Sequence, residues 1–166
     1  MEMINFKKIF KMYGGILIGL IALIAIFSFL SPSFREFNNI LNIILQVSII
    51  AISAFGMTFA LIIAGIDLSI GSTIALSGTI AALLMSLNVP FTLAVGICLL
   101  IGLFLGFING FLVSKAGIPA FIVTVATMGI FRGIAYILTG GGPVQISNAK
   151  FLYIGNEKIF GIPFPI

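Results

Sequence analysis

Five apolar runs, each divided from the next by a short polar or turn-forming stretch, set the pattern of this chain. The first, about 13–30, would rise roughly 27 Å as a helix, close to the ~30 Å hydrocarbon core of a bilayer. Ser31 to Asn39 then breaks the run with Pro32, Arg35, Glu36, Asn38 and Asn39. A second run, about 40–63, reaches Gly65, which is placed to cap it, and Asp67 or Ser69 can open a third, about 68–87. Asn88-Val89-Pro90 closes the third and sets Pro at the mouth of the fourth, about 91–113. Gly117-Ile118-Pro119 precedes the fifth, about 119–138, which stops at Thr139-Gly140-Gly141-Gly142-Pro143. The pattern predicts an all-α polytopic transmembrane helix bundle of about five spans.

Composition turns that pattern into a class. Apolar residues make up 61% of the 166 and charged residues 7%, too little polar material to coat a soluble domain. With no His and a single Cys, Cys98 inside an apolar run, the chain has no zinc cluster, no disulfide framework and no His general base. It is therefore read as a non-enzyme with neither metal nor cofactor. It also lacks a G-x-x-x-x-G-K-[ST] loop, so ATP would have to be bound by a partner subunit. The net charge of +4 is spread too thinly for nucleic acid and instead reports orientation. Lys7, Lys8, Lys11 and Lys115 fall on one side of the five spans, and Arg35, Lys150 and Lys158 on the other.

The resulting expectation is a basic cytoplasmic N-terminus over 1–12, a transmembrane domain over 13–138 and an extracytoplasmic loop over 139–166. The Tyr13 to Leu30 run is too long for a signal peptide and is followed by no convincing cleavage site, so it is read as an uncleaved span. Within the final loop, Phe151–Ile154 and Lys158–Phe160 flank Gly155-Asn156 as a candidate hairpin. Ile162-Pro163-Phe164-Pro165-Ile166 reads as the start of a further helix, and the chain as a fragment.

Helix faces carry the remaining information. On the second span Asn42, Gln46, Ser53, Gly56, Ala60 and Ala64 share an arc of roughly 80°. A polar stripe in lipid must face protein or a water-filled path, so it marks either a helix contact glued by Gln46 or a solute pathway. Gly102, Gly106 and Gly110 repeat at the spacing that lets two helix backbones approach, which predicts a packing face. Asn109, beside Gly110, can cap or crosslink helices or serve transport. Asp67 can cap the third span or line a pathway. Arg132 lies near the middle of the fifth span, and with Asp67 at the membrane interface the two would differ in depth by nearly 20 Å, beyond ion-pair reach.

Two ordered blocks carry a family resemblance. Ala64-Gly65-Ile66-Asp67-Leu68-Ser69-Ile70-Gly71-Ser72, continued by Ile74-Ala75-Leu76-Ser77-Gly78, closely resembles the signature of bacterial ABC-transporter permeases of the ribose, xylose and galactoside type. Gly106-Phe107-Ile108-Asn109-Gly110-Phe111-Leu112-Val113, then Ile118-Pro119-Ala120-Phe121-Ile122-Val123-Thr124-Val125 and Arg132-Gly133-Ile134-Ala135, is similar to that family's next block. The likeness extends from about Ile40 through Pro165.

The resemblance implies the N-terminal portion of a multi-pass permease subunit of a monosaccharide importer in the bacterial cell (inner) membrane. It implies as partners a cytoplasmic ABC ATPase, an extracytoplasmic sugar-binding protein and a second permease copy. Sugar would move by alternating access, with Asn42, Gln46, Ser53, Thr124 and Thr127 as candidate pathway residues able to bond sugar hydroxyls. Two rival readings stand beside this one. An ion-coupled secondary transporter would need an embedded carboxylate, for which Asp67 is the one candidate, and a non-transporting membrane fragment would need no site at all.

Overall fold

The computed structural model describes residues 6–159 and 162–163. Outside these lie the start of the basic N-terminus, Phe160 of the expected hairpin and the Phe164-Pro165 step of the expected further helix. Among the described residues six helices follow in order: α1 (Phe6–Leu30), α2 (Phe37–Ile62), α3 (Ile70–Ser86), α4 (Phe91–Ser114), α5 (Ala120–Thr139) and α6 (Ala149–Asn156). A 3-10 turn at Pro32–Arg35 joins the first two. Among the described residues, four helices are long and apolar enough to cross a membrane: Phe10–Leu30 within α1, then α2, α4 and α5. The apolar α3 is shorter, at 17 residues.

The chain divides after Gln46, inside α2, into two compact units. In the first, the Pro32–Arg35 turn is tied by the Ser31 N–H to the Phe27 carbonyl (3.0 Å) and by Asn39 Nδ2 to the Phe34 carbonyl (3.0 Å). The Phe27 and Phe34 rings lie 5.8 Å apart, centroid to centroid.

In the second unit α3 packs against both α4 and α5. One apolar cluster gathers Leu76, Leu105, Phe131 and Ala135, and another Ala81, Met85 and Ala94. Val123 and Ala82 are buried as well, and beside these apolar residues Ser69, Ser72, Ser77, Asn109, Thr124 and Thr127 are buried. Large apolar side chains such as Leu99, Leu103, Phe104 and Phe107 point outward. Buried hydroxyls and an amide beneath a surface of large apolar side chains suit lipid as the solvent.

Three helices stop in the same way. At α2 the Ala64 and Gly65 N–H groups donate to the Leu61 and Ala60 carbonyls, both at 2.9 Å, with Ala64 left-handed at φ 55°. At α3 Asn88 takes that role (φ 62°), and at α5 Gly140 (φ 61°). These are Schellman terminations. Contrary to the expectation that Gly65 is the cap, the left-handed residue is Ala64, and Gly65 is needed for space: a Cβ there would lie 3.2 Å from Ala120 Cβ and 3.3 Å from the Ala60 carbonyl oxygen.

The expected hairpin is also displaced. Asn148 Oδ1 accepts from the N–H groups of Lys150 (3.1 Å) and Phe151 (3.3 Å), and this cap makes the first expected strand a helix, α6. The strand pair that forms is β1 (Lys158–Ile159) with β2 (Ile162–Pro163), antiparallel, Lys158 opposite Pro163.

Candidate functional site

Between α2 and α3 the backbone leaves the helical path over residues 65–69, and its position is set by side chains from two other helices. Thr124 Oγ1, one turn into α5, donates to the Ile66 carbonyl at 3.0 Å. Asn109 Nδ2, near the end of α4, donates to Ser69 Oγ at 2.7 Å. Ser69 Oγ in turn donates to Asp67 Oδ1 at 2.6 Å, and the same carboxylate oxygen accepts the Ser69 N–H at 2.7 Å. A relay therefore runs from the α4 amide through the Ser69 hydroxyl to the Asp67 carboxylate. Ser69, 1% exposed, is its hinge.

The relay's direction follows from the chemistry of its members. The acceptor nearest the Ser69 hydroxyl is a carboxylate, so the hydroxyl hydrogen is committed to it and the oxygen can only accept from Asn109. This fixes Nδ2 toward Ser69 and leaves Asn109 Oδ1 buried without a hydrogen-bond partner.

These bonds also set depth. Thr124 lies four residues past the start of α5 and Asn109 five before the end of α4, so the break is recessed about 6–8 Å inside the ends of those helices. The short α3 follows directly, because its N-terminus begins inside the bundle. Irregular backbone at such depth is tolerated where protein covers it, as at Gly65 and Ser69, or where it lines a cavity, as at Ile66 and Asp67. A cleft of about 350 Å³ is lined by Asp67, Asn109, Ser114 and Thr124, by Gly106, Gly110, Val113 and Ala120, and by the end of α2 and the start of the break.

The structure brings Asp67, Asn109 and Thr124 together at this cleft. Thr127, buried one turn further along α5, spends its hydroxyl hydrogen on the Val123 carbonyl (3.0 Å). Ser53 Oγ donates to the Ile49 carbonyl of its own helix (3.2 Å). Asn42 and Gln46 are exposed on the part of α2 that belongs to the first unit. Gly102, Gly106 and Gly110 have no atom within 4 Å of where a Cβ would stand, and the last two line the cleft. Among the described residues no helix is seated on that stripe.

Arg132 lies elsewhere. It lines a separate cleft of about 450 Å³ with Gly78, Thr79, Tyr136, Thr139 and the Gly141-Gly142-Pro143 turn. With Thr124 as the ruler, Arg132 is about 12 Å further along α5 than the break, rather than nearly 20 Å. The recess accounts for the difference. Among the described residues no ion pair joins Asp67 to Arg132, and the two line different clefts.

Sequence reasoning missed the part played by Ser69. A serine before a helix reads as a cap, and nothing local shows that its hydroxyl meets a residue 40 positions away. The available signal was the occurrence of Asp67 and Asn109 as isolated polar residues in apolar surroundings, each needing a partner.

A family profile described as the permease component of branched-chain amino acid transport systems matches residues 39–157. The chain is 48% identical over 153 residues to the ribose import permease protein RbsC of Haemophilus influenzae, covering 90% of this chain and 47% of that protein. It is 40% identical to RbsC of Escherichia coli K12 (97% of this chain, 51% of the relative) and 40% identical to the D-allose transport system permease protein AlsC of the same strain (98% and 50%). The chain thus spans about half the length of the curated relatives it matches. No solved structure gives a significant match.

Proposed function

Because the chain belongs to the family of permease components described for branched-chain amino acid transport systems, we propose that it forms membrane-spanning permease structure in an ATP-driven importer of monosaccharides such as ribose, xylose or galactose. The observation that carries this reading is the 40–48% identity to ribose import permeases across nearly all of this chain. A cytoplasmic ATPase would supply the energy, an extracytoplasmic binding protein would deliver the sugar, and a second permease copy would complete the gate. All of this takes place in the inner membrane.

The recessed break supports a transport role. Discontinuous helices in transporters place polar backbone and side chains at depth, where a solute needs hydrogen-bond partners. The hydroxyls of Ser53, Thr124 and Thr127 keep acceptor capacity and are proposed to bond sugar hydroxyls, as are the exposed amides of Asn42 and Gln46 within the first unit. The open Gly102, Gly106 and Gly110 face is the proposed seat for a further helix of the assembled importer. Alternating access then needs only two packings of stiff helices, biased by ATP in the partner.

Uptake of labelled D-ribose tests the reading in cells that lack their own ribose permease but keep its ATPase and binding protein. The chain is supplied joined to the remaining half of a related permease. Uptake is expected to appear and to vanish when the ATPase gene is deleted. Uptake that survives that deletion and collapses with a protonophore would establish the ion-coupled alternative.

The orientation has its own expected outcome. With Cys98 replaced by Ser, single cysteines at Ile66 and at Lys115, both exposed positions, should each react with an impermeant thiol reagent from the cytoplasmic side only. Labelling of the two positions from opposite sides would overturn this topology.

A further inference from the structure

Arg132 is the one charged residue within α3, α4 and α5. Among the described residues its guanidinium makes no hydrogen bond and no ion pair. The cleft of about 450 Å³ that it lines has no acidic side chain in its wall, which is formed by α3, by the same face of α5 and by the turn that follows α5. A full positive charge in an apolar span is costly, and it is kept where something of opposite charge or a polar surface meets it.

The other polar groups at the cleft divide by what they have already committed. The N–H groups of Gly140, Gly141 and Gly142 donate to the carbonyls of Ile137 (3.3 Å), Tyr136 (3.0 Å) and Thr139 (3.2 Å), so the turn holds itself together. Thr139 Oγ1 donates to the Tyr136 carbonyl (3.2 Å) and accepts from the Gly141 N–H (3.3 Å). By contrast, the Thr79 and Tyr136 hydroxyls have no partner among the described residues. The Tyr136 phenol lies over the turn because Gly141 is bare: a Cβ there would come within 2.7 Å of the hydroxyl oxygen. The cleft is left with one uncompensated positive charge and two hydroxyls able to donate.

Position chooses among anions. From Arg132 to Thr139, the last residue of α5, the helix rises about 10 Å, and the apolar stem of an arginine lets its head reach toward that end. The cleft continues to the Gly141-Gly142-Pro143 turn, where the span ends, and Tyr136 stands one turn before it, as aromatic hydroxyls do at headgroup level. Gly78, Ala82 and Ala135 make the rest of the wall small and apolar. An anion that carries an apolar tail suits both parts, whereas a water-soluble anion would have to leave water to enter.

We propose that this cleft is a phospholipid site, in which the phosphate of an anionic lipid accepts a bidentate pair of bonds from Arg132 and single bonds from the Thr79 and Tyr136 hydroxyls, while an acyl chain lies along Gly78 and Ala82. A zwitterionic lipid is the poorer occupant, because its own ammonium competes for its phosphate. The site is independent of what the permease transports.

Native mass spectrometry of the joined permease tests it. With dioleoylphosphatidylglycerol or dioleoylphosphatidylcholine added to the micelles at equal concentration, the first phosphatidylglycerol is expected to bind about tenfold more tightly than the first phosphatidylcholine. Arg132→Gln should abolish that preference, and Lys115→Gln, which removes a charge just past α4, should leave it unchanged. Tyr136→Phe withdraws only a hydroxyl and should weaken phosphatidylglycerol binding about fivefold. Equal affinities for the two lipids, or a preference that survives Arg132→Gln, would overturn the site. Should Arg132→Gln fail to fold, Tyr136→Phe decides, and unaltered binding by that variant overturns the site instead. Inorganic phosphate retained without lipid, in a manner that depends on Arg132, would reassign the cleft to a free anion.

Discussion

Ser69→Ala is expected to destabilise the protein by about 2–3 kcal/mol, whereas Ser77→Ala, the same change inside the helix that follows, should cost about 0.5 kcal/mol or less. Both serines are buried. The Ser77 hydroxyl bonds only carbonyls of its own helix, Thr73 at 2.8 Å and Ile74 at 3.3 Å, which retain their helical partners when it is removed. Ser69, by contrast, joins two elements. Removing its hydroxyl takes a charge-assisted bond from Asp67 and strips Asn109 of its one hydrogen-bond partner, leaving a buried amide with neither end satisfied. A single interhelical bond in a bilayer averages about 0.6 kcal/mol, so a larger loss at Ser69 would report the relay as a unit. Unfolding of the two variants in mixed micelles measures the difference. Equal losses would mean that burial, and not the relay, sets the cost.

Gly65→Val should destabilise by about 2 kcal/mol, and Ala64→Gly, one residue earlier, should stabilise by about 1 kcal/mol. The signs are opposite because the two residues of one Schellman turn meet different constraints. Ala64 holds a left-handed backbone at φ 55°, a conformation a β-carbon disfavours and glycine adopts freely. Gly65 lies against Ala120, and its first side-chain carbon would already be within 3.2 Å of that residue's Cβ. The branched valine cannot be accommodated unless α5 moves away, and that movement would pull Thr124 from the Ile66 carbonyl. The expected sign for Ala64→Gly includes the entropy that glycine adds to the unfolded chain, which trims the gain without reversing it. Melting temperatures of the purified variants check both signs. A stabilising Gly65→Val would show that the approach of α5 to the break is slack.

Much of this architecture is legible in the one-dimensional order of residues. Long apolar runs punctuated by Pro, Gly and Asn must become helices in lipid, because every backbone N–H and C=O has to be paired within its own segment. For the same reason the near absence of charge determined the solvent, and the two glycine- and proline-marked blocks carried the family resemblance. Local signals failed where two local choices competed. Phe151–Ile154 has the composition of a strand, but Asn148 caps it as a helix. Gly65 has the composition of a cap, but Ala64 takes the left-handed turn.

What only the tertiary structure decided is depth and partnership. Nothing between Ala64 and Ser72 states that this stretch sits a turn inside the ends of α4 and α5, because the residues that hold it there, Asn109 and Thr124, are 40 and 58 positions from the atoms they bond. Hydrogen bonds between side chains of distant helices depend on how three rods pack, and packing is a property of all their faces at once. The residue types announce that polar groups in an apolar chain must find partners. Which partner each finds, and which oxygen is left without one, is settled only when the helices meet.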